Sequence, residues 1–125
     1  MSASEQCRPV HPLRVLLVED ENLVALLLED MLAELGHSVV GPVARLKKAL
    51  EMAQREPIDV AILDVNINGE HAYPIADALA ARKIPFVFST GYGKGNLPPQ
   101  YRDRPTLGKP FQQHDLQQLL AALLH

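Results

Sequence analysis

The sequence predicts an α/β protein built on a parallel β-sheet with helices on both faces. Three observations favour this class: short apolar runs alternate with longer helical patterns, the runs are rich in branched residues, and polar residues follow them. Buried parallel strands have this composition, and strands that alternate with helices are typical of βαβ units. The 125 residues suffice for one domain. We expect residues 1–12 to be a flexible N-terminal tail and residues 13–125 to form that domain.

Helices are predicted where apolar residues recur at helical spacing, and strands where short apolar runs occur. In the first helix an apolar residue recurs every fourth position, and neighbouring apolar residues widen this stripe: Leu23, Leu27, Met31 and Leu35, with Val24, Leu28 and Leu32. Pro74 is compatible with the third helix only in its first turn, and His71 is expected on the solvent face of that helix. The predicted strands are 13–18, 37–43, 58–63, 84–89 and a brief fifth strand at 106–108. The predicted helices are 22–35, 44–55, 70–83 and 113–124.

Composition excludes several functional classes. The formal net charge of −3 gives no basic bias toward nucleic acid, and charged residues interrupt the apolar runs before they could span a membrane. The N-terminal stretch lacks the apolar segment of a secretory signal, and Cys7 has no partner cysteine in the chain. These features fit a reducing cytoplasm. We therefore expect a cytoplasmic protein that binds neither nucleic acid nor a membrane.

Several predicted strands end at residues that can do chemistry. The first is followed by Glu19 and Asp20, the third by Asp64, the fourth by Thr90 and the fifth by Lys109. Ligands of open parallel sheets bind beyond the carboxyl ends of the strands, so these residues are expected at one edge. Three carboxylates there repel each other unless a cation such as Mg²⁺ neutralises them. Such a cation could support phosphoryl transfer to Asp64, with Lys109 and Thr90 as partners of the phosphate.

Each of these features also has an ordinary structural explanation. An acidic pair before a helix is commonly an N-cap, and an aspartate after a strand commonly forms a turn. A threonine–glycine pair is usually a turn, and a lysine–proline pair commonly precedes a helix. The four features occur together, in order and each at a strand end, which favours a shared site.

Four segments resemble the receiver domain of two-component response regulators. They are LLVEDE at 16–21, ILDVNI at 62–67, FSTGY at 88–92 and GKPF at 108–111. The resemblance covers nearly the whole chain after the tail. It implies a flavodoxin-like (βα)5 doubly wound sheet with strand order 2-1-3-4-5.

The resemblance also implies roles for particular residues. Asp64 is implied as the phosphoacceptor, in a reaction that needs Mg²⁺ or Mn²⁺. The implied metal-binding groups are Glu19, Asp20, Asp64 and the backbone carbonyl of Asn66, with Asp20 a direct ligand. Thr90 and Lys109 are implied as contacts of the phosphoryl group.

The same resemblance implies partners. A cytoplasmic histidine kinase or a histidine phosphotransfer protein would donate the phosphoryl group. The phosphorylated receiver would then bind a downstream signalling protein or pass the phosphoryl group to another histidine. Beyond forming and losing its own phosphoaspartate, the chain is not expected to be an enzyme.

The segment 85–93 more narrowly resembles the Phe-Ala-Thr-Gly-type (FATGUY) subgroup of stand-alone receivers. Members of this subgroup occur in alphaproteobacterial stress signalling. Ser89 stands where the subgroup usually has alanine, which is a small change.

The chain departs from the general receiver pattern after its fourth strand. Residues 91–105 are rich in glycine and proline and lack a helical period, so we expect the fourth helix to be short or missing. We therefore expect a monomer, and we predict that this long loop becomes ordered when Asp64 is phosphorylated. Receivers often carry an aromatic switch residue three positions before the lysine, where this chain has Thr106. We expect Tyr92 or Tyr101 to take over the role of that aromatic residue. The alternative is that both tyrosines simply pack the loop.

Three other functions are kept as alternatives. An aspartate-nucleophile phosphohydrolase would carry a second acid two residues after the nucleophile, where this chain has Asn66. A flavodoxin-like cofactor carrier needs a phosphate-binding loop after the first strand, where Glu19, Asp20 and Glu21 would repel phosphate. A phosphorylation-independent adaptor is not favoured by the sequence, because all the key residues are present.

Overall fold

The computed structural model describes residues 12–90, 97, 99–101, 106–108 and 111–123. The strands in these ranges are β1 (Arg14–Val18), β2 (Ser38–Val43), β3 (Val60–Asp64), β4 (Asn66–Ile67), β5 (Glu70–His71), β6 (Phe86–Thr90) and β7 (Thr106–Gly108). The α-helices are α1 (Asn22–Glu34), α2 (Leu46–Arg55), α3 (Tyr73–Ala81) and α4 (Gln113–Leu123). Among the described helices, none combines the length and the apolar composition that a membrane span requires. The predicted tail, including Cys7, falls outside the described residues except for Pro12.

One parallel sheet organises the described residues, with strand order β2-β1-β3-β6-β7. All four pairings in it are parallel. Because β6 and β7 are the fourth and fifth strands of this sheet, the order confirms the predicted flavodoxin-like topology. The carboxyl ends of β1, β3 and β6 therefore lie side by side.

Two apolar layers cover the sheet, one on each face. Along β3, Val60 and Ile62 pack in the layer with α1 and α4, whereas Ala61 and Leu63 pack in the layer with α2 and α3. This alternation follows from the pleat, which directs successive side chains to opposite faces. Because both faces are covered, β3 is buried along its whole length, as its uninterrupted apolar sequence predicts.

Helix α1 buries only part of the wide apolar stripe that its sequence predicts. Its buried residues are Ala25, Leu28 and Leu32. By contrast, Leu23 is 82% exposed and Leu27 is 47% exposed. The helix is apolar around most of its circumference, so spacing alone did not select the buried face.

A short hairpin replaces the first turn of the predicted third helix. Strands β4 and β5 pair antiparallel, and Asn68 and Gly69 connect them with φ angles of 52° and 85°. Two adjacent residues in the left-handed region define a tight hairpin turn for which Asn-Gly is the preferred sequence. The prediction of a helix over 70–83 was therefore wrong at its start, and His71 lies in the hairpin. Pro74 stands in the first turn of α3, as expected.

The connection from β6 to β7 contains a single turn of 3₁₀ helix at Pro99–Tyr101 in its described part. This agrees with the expectation of a short or missing fourth helix. The brief predicted strand at 106–108 is confirmed as β7. Tyr92 lies outside the described residues.

Candidate functional site

Three carboxylates meet at the carboxyl edge of the sheet. Glu19 and Asp20 directly follow β1, and Asp64 is the last residue of the neighbouring strand β3. The register pairs Val18 with Leu63, so the chain places the residues that follow them next to each other. One carboxylate oxygen from each of the three acids lies within 4.8 Å of the others. The sequence prediction that these acids come together at one edge of the sheet is confirmed.

Short-range hydrogen bonds fix two of these carboxylates. The backbone N–H of Glu21 donates to Glu19 Oε2 at 3.0 Å. The backbone N–H of Asn66 donates to Asp64 Oδ1 at 3.2 Å. Both acids are buried, so these bonds offset part of the cost of removing a carboxylate from water. Asn66 itself begins β4, and the predicted role of its carbonyl as a metal ligand stays a prediction.

The β4–β5 hairpin is tied to the third carboxylate. The backbone N–H of Asn68 donates to Asp20 Oδ2 at 2.9 Å, and the Asn68 side-chain Nδ2 donates to the carbonyl of Ala44 at 2.9 Å. Asn68 thus connects the loops that follow β1, β2 and β3. The sequence analysis missed this link, because no local pattern shows which distant loop a turn will contact.

The donor set fits a hard divalent cation. Mg²⁺ and Mn²⁺ prefer carboxylate and carbonyl oxygens, and Mg²⁺ commonly uses one or two carboxylates together with waters. Three carboxylates within 4.8 Å repel one another, and a cation between them would relieve this repulsion. The residues present therefore suit a magnesium site, as the sequence predicts.

One of the two predicted phosphate contacts, Thr90, lies on the next strand along the edge. Thr90 is the buried last residue of β6, which pairs with β3. Gly108 ends β7 opposite Thr90. Lys109 follows Gly108 directly and lies outside the described residues. The structure thus brings Thr90 to the edge that carries the acids.

An aromatic cluster holds the 3₁₀ turn at Pro99–Tyr101 against α3. Tyr101 is only 4% exposed, its ring stacks on Tyr73 at 5.7 Å between centroids, and it packs edge-on against Phe88 at 5.4 Å. Its hydroxyl donates a hydrogen bond to Asp77 of α3. His71 of the hairpin stacks on the same Tyr73 at 5.0 Å. The cluster therefore joins the hairpin, α3 and the loop, while a switching role for Tyr101 stays a prediction.

Comparison with known proteins identifies the class to which this fold and site belong. The family described as the response regulator receiver domain matches residues 15–121. The chain belongs to this family.

Individual relatives agree with this assignment. The chain is similar to SdrG from Sphingomonas melonis Fr1, with a TM-score of 0.82 and 47% identity over 91% of this chain and 98% of that one. A BeF3-activated conformation of SdrG, attributed to Pseudomonas melonis Fr1, gives a TM-score of 0.77 at 47% identity over 90% of this chain and 96% of that one.

A further solved structure bears on the cation. It is the receiver domain of the sensor histidine kinase PA1611 from Pseudomonas aeruginosa PAO1, with a magnesium ion coordinated in its active-site cleft. It is 26% identical to this chain, with a TM-score of 0.75, and the match covers 91% of this chain and 98% of that one.

Curated relatives are longer proteins. The transcriptional regulatory protein PdtaR from Mycobacterium tuberculosis is 33% identical over 109 residues, which is 84% of this chain and 53% of that protein. The chain spans about half the length of the curated relatives it matches.

Proposed function

We propose that this receiver accepts a phosphoryl group on Asp64 from a histidine kinase or a histidine phosphotransfer protein, and thereby switches the binding of a signalling partner or relays the group. The observation that carries the proposal is the close approach of Glu19, Asp20 and Asp64 at the carboxyl edge of the sheet. Membership of the receiver family and the BeF3-activated form of SdrG support it.

The proposed chemistry is an in-line displacement. A carboxylate oxygen of Asp64 attacks the phosphorus of a phosphohistidine, the P–N bond breaks, and its electron pair leaves with the imidazole. Glu19, Asp20 and Asp64, with the carbonyl of Asn66, would hold the cation. When bound, the cation offsets the charge of the phosphoryl oxygens.

Two further residues are proposed to receive the phosphoryl group. Thr90 would donate its hydroxyl to a phosphoryl oxygen, and Lys109 would form an ion pair with the new phosphate. Both follow from the strand ends at which they lie in the sequence. The chain is proposed to turn over no external substrate, because Asn66 stands where aspartate-nucleophile hydrolases carry a second acid.

An exposed apolar face supports a protein as the phosphodonor. Leu23, Leu26 and Leu27 are 82%, 55% and 47% exposed, and they lie on the helix that begins directly after the acidic residues. Exposed apolar side chains grouped beside a reactive site are typical of protein docking surfaces. A phosphohistidine domain seated on α1 would bring its imidazole toward Asp64.

We further propose that the chain acts as a stand-alone receiver of the FATGUY subgroup in stress signalling within the cytoplasm. The 47% identity with SdrG over 98% of the SdrG chain supports this, as does the segment 85–93. A downstream partner is proposed to read the phosphorylated state.

The decisive experiment is intact mass spectrometry after incubation with acetyl phosphate. We expect the protein to gain one phosphoryl group only when Mg²⁺ is present, and the Asp64→Ala variant to gain none. If neither acetyl phosphate nor a phosphorylated histidine donor labels the folded protein, the phosphoacceptor proposal is wrong and an adaptor role is favoured.

The docking proposal is tested separately through Leu23 and Leu27. We expect the double variant Leu23→Ser/Leu27→Ser to accept phosphate from a histidine phosphotransfer protein roughly 10-fold more slowly, which corresponds to a loss of about 1.4 kcal/mol of docking free energy from the two side chains together. Labelling by acetyl phosphate should not change. Ala33→Ser, at an exposed position near the other end of α1, is the matched control. Equal transfer rates for all three proteins would exclude this face as the docking surface.

A further inference from the structure

Ser89 has a buried hydroxyl that the functions above do not use. The residue is 1% exposed. Among the side chains of the described residues, Ser89 Oγ is the buried polar atom that finds no hydrogen-bond partner. Buried hydroxyl groups in proteins are nearly always hydrogen-bonded, so such an exception calls for a physical reason.

The sheet register places Ser89 beside the proposed phosphoacceptor. Ser89 on β6 is the direct partner of Asp64 on β3, and adjacent strands run about 4.8 Å apart. Register partners project from the same face of a pleated sheet. The residues two positions earlier on these strands, Val87 and Ile62, pack in the same apolar layer, which confirms the shared face. The Ser89 hydroxyl therefore lies one strand away from the Asp64 carboxylate.

The unpartnered hydroxyl destabilises the unphosphorylated state. A buried donor without a partner carries its full desolvation cost, and an alanine would avoid that cost in almost the same space. The neighbouring strand partner on the other side is Leu107, which offers no polar side chain. A hydroxyl at this position is therefore favoured only in a state that supplies an acceptor.

Phosphorylation of Asp64 would supply a hydrogen-bond acceptor for the Ser89 hydroxyl. The phosphoryl group adds anionic oxygens, and hydrogen bonds to charged acceptors are roughly twice as strong as those between neutral groups. We propose that Ser89 is a positioning residue of the phosphoryl site, whose hydroxyl donates a hydrogen bond to the Asp64 side chain once that side chain is phosphorylated. This inference rests on the proposed function of Asp64.

The test compares Ser89→Ala and Ser89→Cys with the unsubstituted protein. Alanine removes the hydroxyl, whereas cysteine keeps a side chain of similar size but has only a weak S–H donor. The readouts are the affinity for beryllofluoride in the presence of Mg²⁺, measured by calorimetry, and the unfolding temperature without it. We expect both variants to bind beryllofluoride roughly 10-fold more weakly, the loss typical of one hydrogen bond to a charged group.

For Ser89→Ala, the unfolding temperature is not expected to fall along with the beryllofluoride affinity. Because Ser89→Ala removes an unpartnered buried hydroxyl, we expect its unfolding temperature without beryllofluoride to equal or exceed that of the unsubstituted protein. Weaker beryllofluoride binding in a variant that is no less stable would support a hydrogen bond present in one state alone. A purely structural role would shift stability and leave the affinity unchanged.

Each other outcome overturns the inference in a distinguishable way. Equal beryllofluoride affinity in the unsubstituted protein and Ser89→Ala would overturn the role of Ser89 alone. Weak binding by Ser89→Ala with normal binding by Ser89→Cys would assign the effect to packing and overturn it as well. If the unsubstituted protein neither binds beryllofluoride nor accepts phosphate, the proposed function fails and this inference fails with it.

Discussion

The two sides of the carboxyl edge are held by different kinds of contact. On the side of β1 and β3, backbone N–H groups of the hairpin donate directly to carboxylate oxygens, from Asn68 to Asp20 and from Asn66 to Asp64. On the side of β6 and β7, Tyr101 is held mainly by ring contacts with Tyr73 and with phenylalanines of β6. Hydrogen bonds such as those to the carboxylates are directional, whereas the apolar packing around Tyr101 is not.

This difference suggests that the two sides of the site have different roles. Carboxylates fixed by directional bonds are ready to hold a cation without rearrangement, which is what a metal site requires. A loop held by packing can adopt a second arrangement if its contacts are exchanged for others of similar area. We therefore expect the carboxylate side to determine cation affinity and the aromatic side to determine the response.

The largest expected effect is on the free energy of unfolding and comes from removing the Tyr101 ring from the aromatic cluster. Tyr101→Ala should lower the free energy of unfolding by about 3 kcal/mol, because truncating a buried aromatic side chain leaves a cavity and loses its contacts. Tyr101→Phe, which keeps the ring but loses the hydroxyl that bonds to the exposed Asp77, should cost about 1 kcal/mol or less. Chemical denaturation measures both.

The same two variants test the division between the sides. Mg²⁺ affinity at the carboxylates should stay unchanged in both variants, since the ring of Tyr101 packs on Tyr73 and on the phenylalanines of β6. A clear loss of Mg²⁺ affinity in Tyr101→Phe would show that the two sides are coupled before phosphorylation. The expectation that the carboxylate side alone determines cation affinity would then be wrong.

The sequence predicted the acidic side of the site better than the aromatic side. The acids end apolar strands, and in a parallel sheet the strand ends fix where such residues lie, so Glu19, Asp20 and Asp64 could be placed together without coordinates. The position of Tyr101 depends on how a loop folds back on α3, which no periodic pattern encodes. For the same reason the sequence could offer Tyr92 and Tyr101 only as equal alternatives.

The errors in the helices have a similar cause. The apolar stripe predicted on α1 was too wide: tertiary packing buried Leu28 and Leu32 but left Leu23 and Leu27 exposed. The start of α3 was wrong because the Asn68–Gly69 turn closes a hairpin that consumes residues 70–71. The strand order followed from the receiver resemblance, but these local choices depend on contacts distant in sequence.

A smaller effect is expected from removing the Asn68 side chain, which links the β4–β5 hairpin to the loop after β2. Asn68→Gly keeps the backbone N–H that contacts Asp20 and tolerates the positive φ, but it loses the side-chain bond to Ala44. We expect Mg²⁺ affinity to fall about 5-fold, within the range for one lost hydrogen bond that orients a ligand. Calorimetric titration with Mg²⁺ measures it, and Gln54→Ala on the exposed surface of α2 is the control. An unchanged affinity would mean that the Asn68 side chain has no part in orienting Asp20.

The smallest effect concerns the opposite edge of the sheet, where another directional bond holds the start of β1. The backbone N–H of Leu13 donates to His37 Nδ1 at 3.1 Å, which requires that nitrogen to be unprotonated. Burial lowers the pKa of His37 from its usual 6.5. The unfolded chain then binds a proton more readily than the folded one, so stability should fall as the pH decreases below about 6.5 and be unaffected by this group at higher pH.

His37→Gln separates this contribution from the titration of the carboxylates. The variant should lose less stability than the unsubstituted protein between pH 7.5 and pH 5.5, as measured by urea denaturation at each pH, because glutamine cannot take up a proton in this range. Its Mg²⁺ affinity at pH 7.5 should equal that of the unsubstituted protein, since His37 lies at the amino edge of the sheet and the acids at the carboxyl edge. Parallel pH profiles for the two proteins would show that protonation of His37 does not oppose folding, and a changed Mg²⁺ affinity would show that directional bonds at one edge of the sheet are transmitted to the other.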